Sequence, residues 1–424
     1  MSGGTIQTID DRAPATAPPG RPLRILFLTG RFPFPALKGD QLRAYQQIRG
    51  LGRRHRLTLV YLTRGAAADH GALAGSCERI VAVPFGRGAM ARGLLRGLFS
   101  DLPLQAALYQ TEAMRAALRE LGGGSFDLVH VQLARMAPYL QEGVCPRPWV
   151  VDLVDALSLG MERRIAEEWG PRRIVARFEA GRLRSYERRV VTMADQTVVA
   201  SARDKEALGG VRGVSLVPNA VDLEAFPYAR RDREPATVAF TGNMGYFPNV
   251  NAAVWFAKDV LPLVRAAVPG VRFLIVGARP ARSVRALAAD PAVTVTGRVD
   301  DMSPFLRRAT VAVAPMLTGS GQQIKILEAM ASGVPVVASA AEAEQVGGRH
   351  DQELLVASAA REFADHVVAL LGDEGRADRL ARNARRLVEA RFTWEHSVAA
   401  LERVYGAALE GRAALGPAAA ARLS

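Results

Sequence analysis

The chain has few of the residues that mark secreted, zinc-binding or membrane-spanning proteins. It contains two cysteines in 424 residues, Cys77 and Cys145, and they are far apart. This spacing argues against a zinc site or a disulfide framework and favours a reducing compartment. No run approaches the roughly 18 apolar residues of a membrane span. The N-terminal residues lack the apolar segment of a signal peptide. These absences predict a cytoplasmic protein with a disordered leader over residues 1–20.

Lysine and aromatic residues are also scarce, which weakens a nucleic-acid function. The net charge is +13, but only four of the 55 basic residues are lysine, and aromatic residues make up 6% of the chain. The arginines are scattered, with few aromatic residues beside them to stack on bases, so we expect no nucleic-acid partner. The densest basic stretch, residues 163–189, has nine Arg against four Glu. It is interpreted either as a solvated helix face or as a surface that attracts anionic lipid or a pyrophosphate-bearing acceptor.

Short β-rich runs alternate with helical patterns in two halves of the chain, which predicts two α/β domains with parallel sheets. The expected domains are residues 21–216 and 217–392. A last helix is expected at about 393–410, followed by a low-complexity, mobile tail at 411–424. The strands are predicted at 24–29, 57–62, 80–83, 128–131, 150–154 and 197–200, then at 238–241, 273–276, 293–296, 311–314 and 334–338.

Residues 314–339 form the most informative pattern, in the order strand, glycine-containing loop, helix, turn and strand. The loop allows a close approach of the backbone to a ligand, and the N-terminus of the helix directs free N–H groups and partial positive charge at the same place. Lys325 adds a full charge, so the segment suits a diphosphate. Glu328 follows on the same helix face. The alternative is an internal Lys325–Glu328 salt bridge in a core helix.

The stretch LEAMASGVPVVA, residues 327–338, resembles the donor-sugar site of retaining glycosyltransferases of family 4. The resemblance implies the GT-B fold: two Rossmann-like domains facing a cleft, with a last helix that crosses back to the first domain. Glu328 matches the second glutamate of the family motif Glu-x7-Glu and is implied to hold the nucleotide ribose. Ser320 stands where the first glutamate is expected. The spacing of Gly321, Gln323 and Lys325 before Leu327 is similar instead to a subgroup of bacterial exopolysaccharide sugar transferases.

The same resemblance implies further donor contacts outside this segment. Gly242 and Asn243 end a strand where many family members carry an arginine and a lysine that grip the diphosphate. Asn243 stands in place of that arginine, which shifts the electrostatic role onto Lys325. The backbone around Arg298 and Val299 is implied to line the nucleobase.

In the first half, the resemblance places a glycine loop beside the donor phosphates. Gly39, Asp40 and Arg43 match the subgroup pattern GD-x2-R. Asp40 is equally well interpreted as a plain N-cap of the first helix.

Three further polar residues of the first half are expected at strand ends. His130 is expected at the mouth of the cleft, and Gln132 stands where the family often has a histidine that touches the sugar. Asp155 follows another strand and is a candidate for contacting the acceptor hydroxyl. The alternatives are a structural histidine and a loop-capping aspartate.

Residues 86–100, GRGAMARGLLRGLFS, combine three arginines with apolar residues and contain no acid. This pattern is interpreted either as an interfacial helix that docks on a membrane or as a segment packed within the domain.

These observations predict a retaining transferase that moves a sugar from a nucleotide-sugar donor to the hydroxyl of a glycan, lipid-linked or small-molecule acceptor. Polysaccharide or glycoconjugate biosynthesis and peripheral contact with the inner face of the plasma membrane are expected. Neither a metal nor a cofactor is expected. The alternatives are a GT-B sugar-nucleotide epimerase and a catalytically impaired nucleotide-sugar-binding protein. The candidate catalytic residues are Lys325, Glu328, His130 and Asp155. The candidate donor-binding residues are Gly39, Asp40, Gly242, Asn243, Arg298, Val299, Ser320, Gly321, Gln323, Lys325, Leu327 and Glu328.

Overall fold

A computed structural model describes residues 20–65, 68–122, 126–141, 143–167, 171–211, 213–229, 233–316 and 324–420. The chain divides into two compact units. The first unit runs to Pro218 and resumes at Trp394, and the second unit comprises Asn219–Thr393. The predicted leader up to residue 19 and the predicted donor contacts Ser320, Gly321 and Gln323 lie outside the described residues.

The described part of the first unit contains a seven-stranded sheet in which every neighbouring pair is parallel. Its strands are β1 (Arg24–Thr29), β2 (Arg56–Thr63), β3 (Arg79–Pro84), β4 (Leu128–Gln132), β5 (Trp149–Val154), β6 (Gln196–Val199) and β7 (Val214–Leu216). Their order is β3-β2-β1-β4-β5-β6-β7, so the chain direction across the sheet reverses between β1 and β4. Open α/β sheets bind ligands at such a reversal, outside the carboxyl ends of the strands.

Helices connect these strands because parallel neighbours require crossover connections. They are α1 (Gly39–Leu51), α2 (Arg87–Leu98), α3 (Leu104–Ala107), α4 (Glu112–Gly122), α5 (Leu157–Glu167), α6 (Pro171–Met193) and α7 (Ala202–Ala207). Successive residues of β1 point to opposite faces of the sheet: Leu26 and Leu28 belong to one apolar cluster, whereas Ile25 and Phe27 belong to another. Apolar residues therefore cover both faces, as expected for a parallel sheet between helical layers.

The second unit repeats this plan with six described strands, again all parallel. They are β8 (Thr237–Thr241), β9 (Arg272–Val276), β10 (Val293–Val295), β11 (Val311–Ala314), β12 (Val336–Ala338) and β13 (Leu355–Val356). The order is β10-β9-β8-β11-β12-β13, with the reversal between β8 and β11. The short strands β7 and β13 are absent from the prediction.

The helices of the second unit complete the crossover connections of its sheet. They are α8 (Phe247–Trp255), which continues through a π-helical turn into α9 (Leu261–Ala267), then α10 (Arg282–Ala286), α11 (Ser303–Arg308), α12 (Ile324–Ala331), α13 (Ala340–Gln345), α14 (Ala360–Gly372) and α15 (Glu374–Arg391).

The last helix, α16 (Trp394–Ala420), belongs to the first unit. It packs against α1 so closely that a Cβ added at Gly50 would lie 2.5 Å from a side-chain carbon of Val398. A buried pair between His55 Nε2 and Glu402 Oε1, 3.0 Å apart, fixes it further. The helix continues past the predicted end at 410 into the alanine-rich tail, because alanine has the highest helix propensity. None of the helices in the described ranges is long and apolar enough to cross a membrane.

Helix α2 presents its glycines to the unit and its leucines to solvent. A Cβ at Gly93 would lie 2.5 Å from the carbonyl oxygen of Ala107, and one at Gly97 would lie 2.7 Å from the Cβ of the same residue. The buried face of α2 is therefore the glycine face, which lets α3 approach closely. The exposed side chains are Leu94, Leu95, Leu98 and Phe99.

Glycine at position 277 is required by a backbone contact between the turns that follow β8 and β9. Gly277 has φ +153°, and an added Cβ would lie 1.6 Å from the carbonyl oxygen of Gly242. We expect Gly277→Ala to lower the free energy of unfolding of the second unit by about 3 kcal/mol or more, because the backbone must move to admit the methyl group. Urea denaturation measures this change. Gly270→Ala is the control, since nothing lies within 4 Å of its added Cβ. Equal midpoints for the two variants would contradict the expectation.

Candidate functional site

Helix α12 places Lys325 at the strand reversal of the second unit. The helix follows β11, and its residues Ile326, Leu327, Ala329, Met330 and Ala331 are buried in the apolar core. Lys325 and Glu328 are half-buried. The side chain of Leu327 is completely buried, which corrects the expectation that it faces a ligand: it packs in the core because it lies on the sheet-facing side of the helix.

The Lys325 ammonium is held by uncharged groups. Its Nζ lies 2.5 Å from Oδ1 of Asn249, 3.4 Å from Sδ of Met316 and 4.8 Å from the ring centroid of Phe240. Burial lowers the pKa of Lys325, and the carboxylates of Glu342 and Glu328 oppose that shift. Among the described residues, the neighbours therefore orient the ammonium without placing a carboxylate in direct contact with it.

Glu328 contributes a carboxylate to the same helix face without pairing to Lys325. Among the described side chains, Lys325 forms no ion pair within 4.0 Å with Glu328. Burial raises the pKa of Glu328, and the nearby Lys325 ammonium lowers it. The alternative of an internal Lys325–Glu328 salt bridge is therefore wrong.

The turn after β8 is tied to Lys325 through Asn249. The Oδ1 of Asn243 accepts a hydrogen bond from the Gly245 N–H at 3.0 Å, and the Nδ2 of Asn249 donates to the Asn243 carbonyl oxygen, also at 3.0 Å. A Cβ at Gly242 would lie 2.8 Å from that Nδ2. Sequence reasoning missed Asn249; the available signal was a polar residue in the first turn of a mostly apolar helix.

Arg298 and Val299 lie apart from this group. They follow β10, at the edge of the sheet, and the order β10-β9-β8 places β9 between them and the turn that contains Asn243. Arg298 is exposed and lies 3.9 Å from the carboxylate of Asp300. The structure thus brings Gly242, Asn243 and Lys325 together and leaves Arg298 and Val299 on a neighbouring loop.

Gly39 and Asp40 begin α1 at the strand reversal of the first unit. The N-cap of this helix is Lys38, without a side-chain capping bond, so the N-cap interpretation of Asp40 is wrong. The Asp40 carboxylate pairs with Arg31 instead. The backbone carbonyl oxygen of Asp40 accepts a hydrogen bond from Nε2 of Gln132 at 2.7 Å. Gln132 therefore links the end of β4 to the start of α1.

His130 is a core residue, which corrects its expected position at an open strand end. It lies inside β4 and is completely buried. Its ring stacks on Phe27 with a centroid distance of 4.2 Å, and its Nδ1 lies 2.9 Å from the Tyr405 hydroxyl of α16. Burial lowers the pKa of His130 to about 4. The imidazole is enclosed because α16 packs over this part of the sheet, so it does not face a ligand.

A buried ion pair braces the end of β5. Arg43 Nε lies 2.7 Å from Oδ2 of Asp152, both side chains are fully buried, and Gln47 Nε2 donates to the same oxygen at 3.1 Å. The other oxygen of Asp152 accepts from the Val154 N–H at 2.9 Å. Val154 has φ +65°, and the β5–β6 register shifts at this point. The pair supports a backbone conformation that a β-branched residue rarely adopts, and sequence reasoning missed Asp152.

Asp155 follows this turn and is half-buried. Burial raises the pKa of Asp155 to about 7; Asp204, Asp152 and Asp40 add to the shift and Arg43 opposes it. The carboxyl group is therefore partly protonated near neutral pH. In the described part of the chain, no three His, Cys, Asp or Glu side chains are grouped so as to hold a metal ion.

Comparisons with known proteins concern both units. The family described as group 1 glycosyl transferases matches residues 235–373, which lie in the second unit. A phosphatidyl-myo-inositol mannosyltransferase of Mycolicibacterium smegmatis is 34% identical over 308 residues, covering 69% of this chain and 74% of that protein.

Similar solved structures extend over nearly the whole chain. Sucrose-phosphate synthase from Thermosynechococcus elongatus gives a TM-score of 0.68 at 18% identity, over 90% of this chain and 98% of that one. Anabaena HepE in complex with UDP-glucose gives 0.61 at 16% identity, over 89% and 98%. At these identities the likeness shows the fold alone. It confirms the predicted α/β architecture of two Rossmann-like, parallel-sheet units, as in GT-B glycosyltransferases.

The raised pKa of Asp155 predicts a pH-dependent stability. A carboxyl group whose folded pKa lies above its unfolded value of 3.8 contributes stability that is full below about pH 4 and is lost as the pH rises through about 7. We therefore expect Asp155→Asn to raise the melting temperature by at least about 2 °C near pH 8 and by less near pH 5. Scanning calorimetry measures this, with Asp101→Asn, an exposed position of the same unit, as the control. If the melting temperatures of Asp155→Asn and the parent protein differed by the same amount at pH 5 and pH 8, the raised pKa of Asp155 would be contradicted.

Proposed function

This chain belongs to the group 1 glycosyl transferases, and we propose that it moves a sugar from a nucleoside diphosphate sugar to an acceptor hydroxyl with retention of anomeric configuration. The observation that carries the proposal is the Lys325 ammonium, held by uncharged neighbours at the strand reversal of the second unit. The comparisons give no support to the epimerase alternative.

Lys325 is proposed to stabilise the departing diphosphate. When the bond between the sugar and the diphosphate breaks, negative charge develops on the phosphate oxygens, and a preorganised cation lowers the barrier most when its position is already fixed. An ammonium has three N–H donors; Asn249 accepts from one of them and the Met316 sulfur from another. Among the described residues no carboxylate contacts the Lys325 ammonium, so a phosphate oxygen can accept from the third donor.

Glu328 is proposed to hold the ribose of the donor. Its carboxylate lies one helical turn beyond Lys325 on the same face of α12. An ionised carboxylate accepts hydrogen bonds from two hydroxyl groups, which suits the ribose diol. In a nucleoside diphosphate the ribose is bonded to the diphosphate, so a ribose contact at Glu328 is expected beside a diphosphate contact at Lys325. Asn243 has no charge to offer the donor. It is proposed to shape the turn after β8, which forms part of the same site.

Asp155 is proposed to contact the acceptor hydroxyl in the first unit. The strained turn at Val154 places the side chain of Asp155 at the carboxyl end of β5. Sheets of this kind bind ligands at that edge. A carboxyl group with a pKa near neutrality both donates and accepts hydrogen bonds. Gly39 and Asp40, at the start of α1, are proposed to lie beside the donor phosphates.

The acceptor is proposed to be held at an anionic membrane surface, in polysaccharide or glycoconjugate biosynthesis. Helix α2 supports this, because Leu94, Leu95 and Leu98 face solvent while Gly93 and Gly97 face the protein. The helix carries three arginines and no acid. Exposed Ile174 and Phe178 lie on α6, whose residue Arg182 donates to the carbonyl oxygen of Gly97 at 2.7 Å. An apolar face bordered by arginines suits a leaflet of anionic lipids.

The activity is tested by incubating the protein with UDP-, GDP- and TDP-sugars and measuring nucleoside diphosphate release with and without acceptor, with NMR of the product to give the anomeric configuration. We expect acceptor-dependent release and a retained configuration. With a donor so identified, Lys325→Ala is expected to lower kcat by roughly a hundredfold, because losing one preorganised contact to a developing charge costs about 3 kcal/mol of barrier.

Lys258→Ala is the matched control, since Lys258 is one of the four lysines, is exposed and lies in the same unit. Near-normal turnover by the Lys325 variant would exclude Lys325 as the diphosphate contact. Binding of nucleotide without turnover of any donor would favour the catalytically impaired binding protein instead.

Membrane contact is tested by flotation with anionic and neutral vesicles at low and high salt. We expect binding to anionic vesicles that weakens as salt rises, because each basic residue near the surface contributes about 1 kcal/mol. Replacing both Leu95 and Leu98 by Glu should weaken binding by at least about tenfold, since it removes apolar area and adds like charge to that of the lipid. Leu263→Glu, at an exposed leucine of the second unit, is the control. The proposal would be contradicted if the protein floated equally with neutral and anionic vesicles, or if the double variant bound anionic vesicles as well as the parent protein.

A further inference from the structure

We propose that Asn249 is a positioning residue, whose side-chain amide holds the Lys325 ammonium in place while leaving its charge available to the donor diphosphate. This inference rests on the proposed function for the identity of the anion. Asn249 lies in the first turn of α8 and is 5% exposed. Its Oδ1 is 2.5 Å from Lys325 Nζ, and its Nδ2 is 3.0 Å from the carbonyl oxygen of Asn243. The one amide therefore joins α12 to the turn after β8.

The chemistry of the two partners determines which way the amide points. An ammonium only donates hydrogen bonds, and a carbonyl oxygen only accepts them. The amide oxygen must therefore face Lys325, and the amide nitrogen must face Asn243. The amide carries its acceptor and its donor on two separate atoms, so it reaches both partners at once. Aspartate would turn an oxygen toward the Asn243 carbonyl, and leucine would satisfy neither partner.

The surrounding backbone leaves just enough room for this amide. A Cβ on Gly242 would lie 2.8 Å from Nδ2 and 3.2 Å from the Cγ of Asn249. The main chain of Asn249 is fixed as well, since its N–H donates to the Tyr246 carbonyl oxygen at 3.0 Å. Glycine at position 242 thus leaves room for the Asn249 amide. The amide in turn fixes the distance between Lys325 on α12 and the turn that follows β8.

An amide also differs from a carboxylate in what it leaves to a ligand. A carboxylate in contact with Lys325 would form an ion pair and reduce the attraction of the ammonium for a phosphate. The acidic groups that act on Lys325 are Glu328 on its own helix and Glu342 on α13. Neither lies within 4.0 Å of the ammonium in the described structure. Within the described ranges, the direct contacts of the ammonium are an amide, a thioether and an aromatic face, so its positive charge is oriented but not neutralised.

The test measures the pKa of Lys325 directly in the full-length protein. The chain has four lysines, so lysine labelled with 13C and 15N gives four side-chain signals, and Lys325→Arg assigns the one of interest. Removing a hydrogen-bond acceptor from a charged group disfavours the charged form, whereas an adjacent carboxylate favours it. We expect Asn249→Ala to move the titration of Lys325 to lower pH by about one unit, and Asn249→Asp to move it to higher pH by at least as much.

Kinetics with a verified donor provide the second readout. The alkaline limb of the kcat/KM profile should move to lower pH in Asn249→Ala and to higher pH in Asn249→Asp. Both variants should lose at least about tenfold in kcat, because the alanine variant lets the Lys325 ammonium move away from its position and the aspartate variant neutralises its charge. Asn251→Ala, two residues further along α8, is the control and should change neither measurement. The aspartate variant preserves the volume of the side chain, so it remains informative if the alanine variant fails to fold.

The outcomes separate this inference from the proposed function. A Lys325 titration that is unchanged in both variants, or that moves the same way in both, would overturn the positioning role. Opposite movements of the titration would support it, including in a protein that transfers no sugar from any donor; in that case the proposed function fails and the contact between Asn249 and Lys325 stands.

Discussion

Parallel pairing is the constraint on which both units depend. Because neighbouring strands run in one direction, each connection returns over a face of the sheet, and the carboxyl ends of all strands meet at one edge. The order of the strands then places a reversal between β1 and β4 in the first unit and between β8 and β11 in the second. The start of α1 with Gln132 lies at the first reversal, and Lys325 with Asn249 lies at the second. The polar groups collect there because the rest of each sheet is covered with apolar side chains.

The two units bury charge in different ways, and the difference separates structure from function. In the first unit, Arg43 contacts the carboxylate of Asp152 directly and both are fully buried, so the charges cancel and the pair supports the turn at Val154. In the second unit, Lys325 contacts an amide. A buried ion pair has its partner built in, and removing one member leaves an uncompensated charge. Among the described residues no carboxylate contacts the Lys325 ammonium, and we propose that it attracts an anion from outside.

Helix α2 shows that local patterning does not determine which face of a helix is buried. Three glycines lower its helix propensity, yet the helix forms because Gly93 and Gly97 allow α3 to approach. Close packing of the backbone then takes the place of leucine burial, and the leucines remain outside. The periodicity of residues 86–100 indicates an apolar face, but that pattern is equally compatible with a face turned inward.

The sequence by itself determined eleven of the thirteen described strands, the two-unit division of the sheets and the segment containing Lys325 and Glu328. These features depend on neighbours close in the chain: alternation within a strand, or spacing of three residues on one helix face. Only the tertiary structure decided that Asn249 holds Lys325, since the two are 76 positions apart. It likewise enclosed His130 beneath Tyr405, which lies 275 positions away. Local spacing carries no information about such partners, because they meet only when separate elements pack on the same sheet.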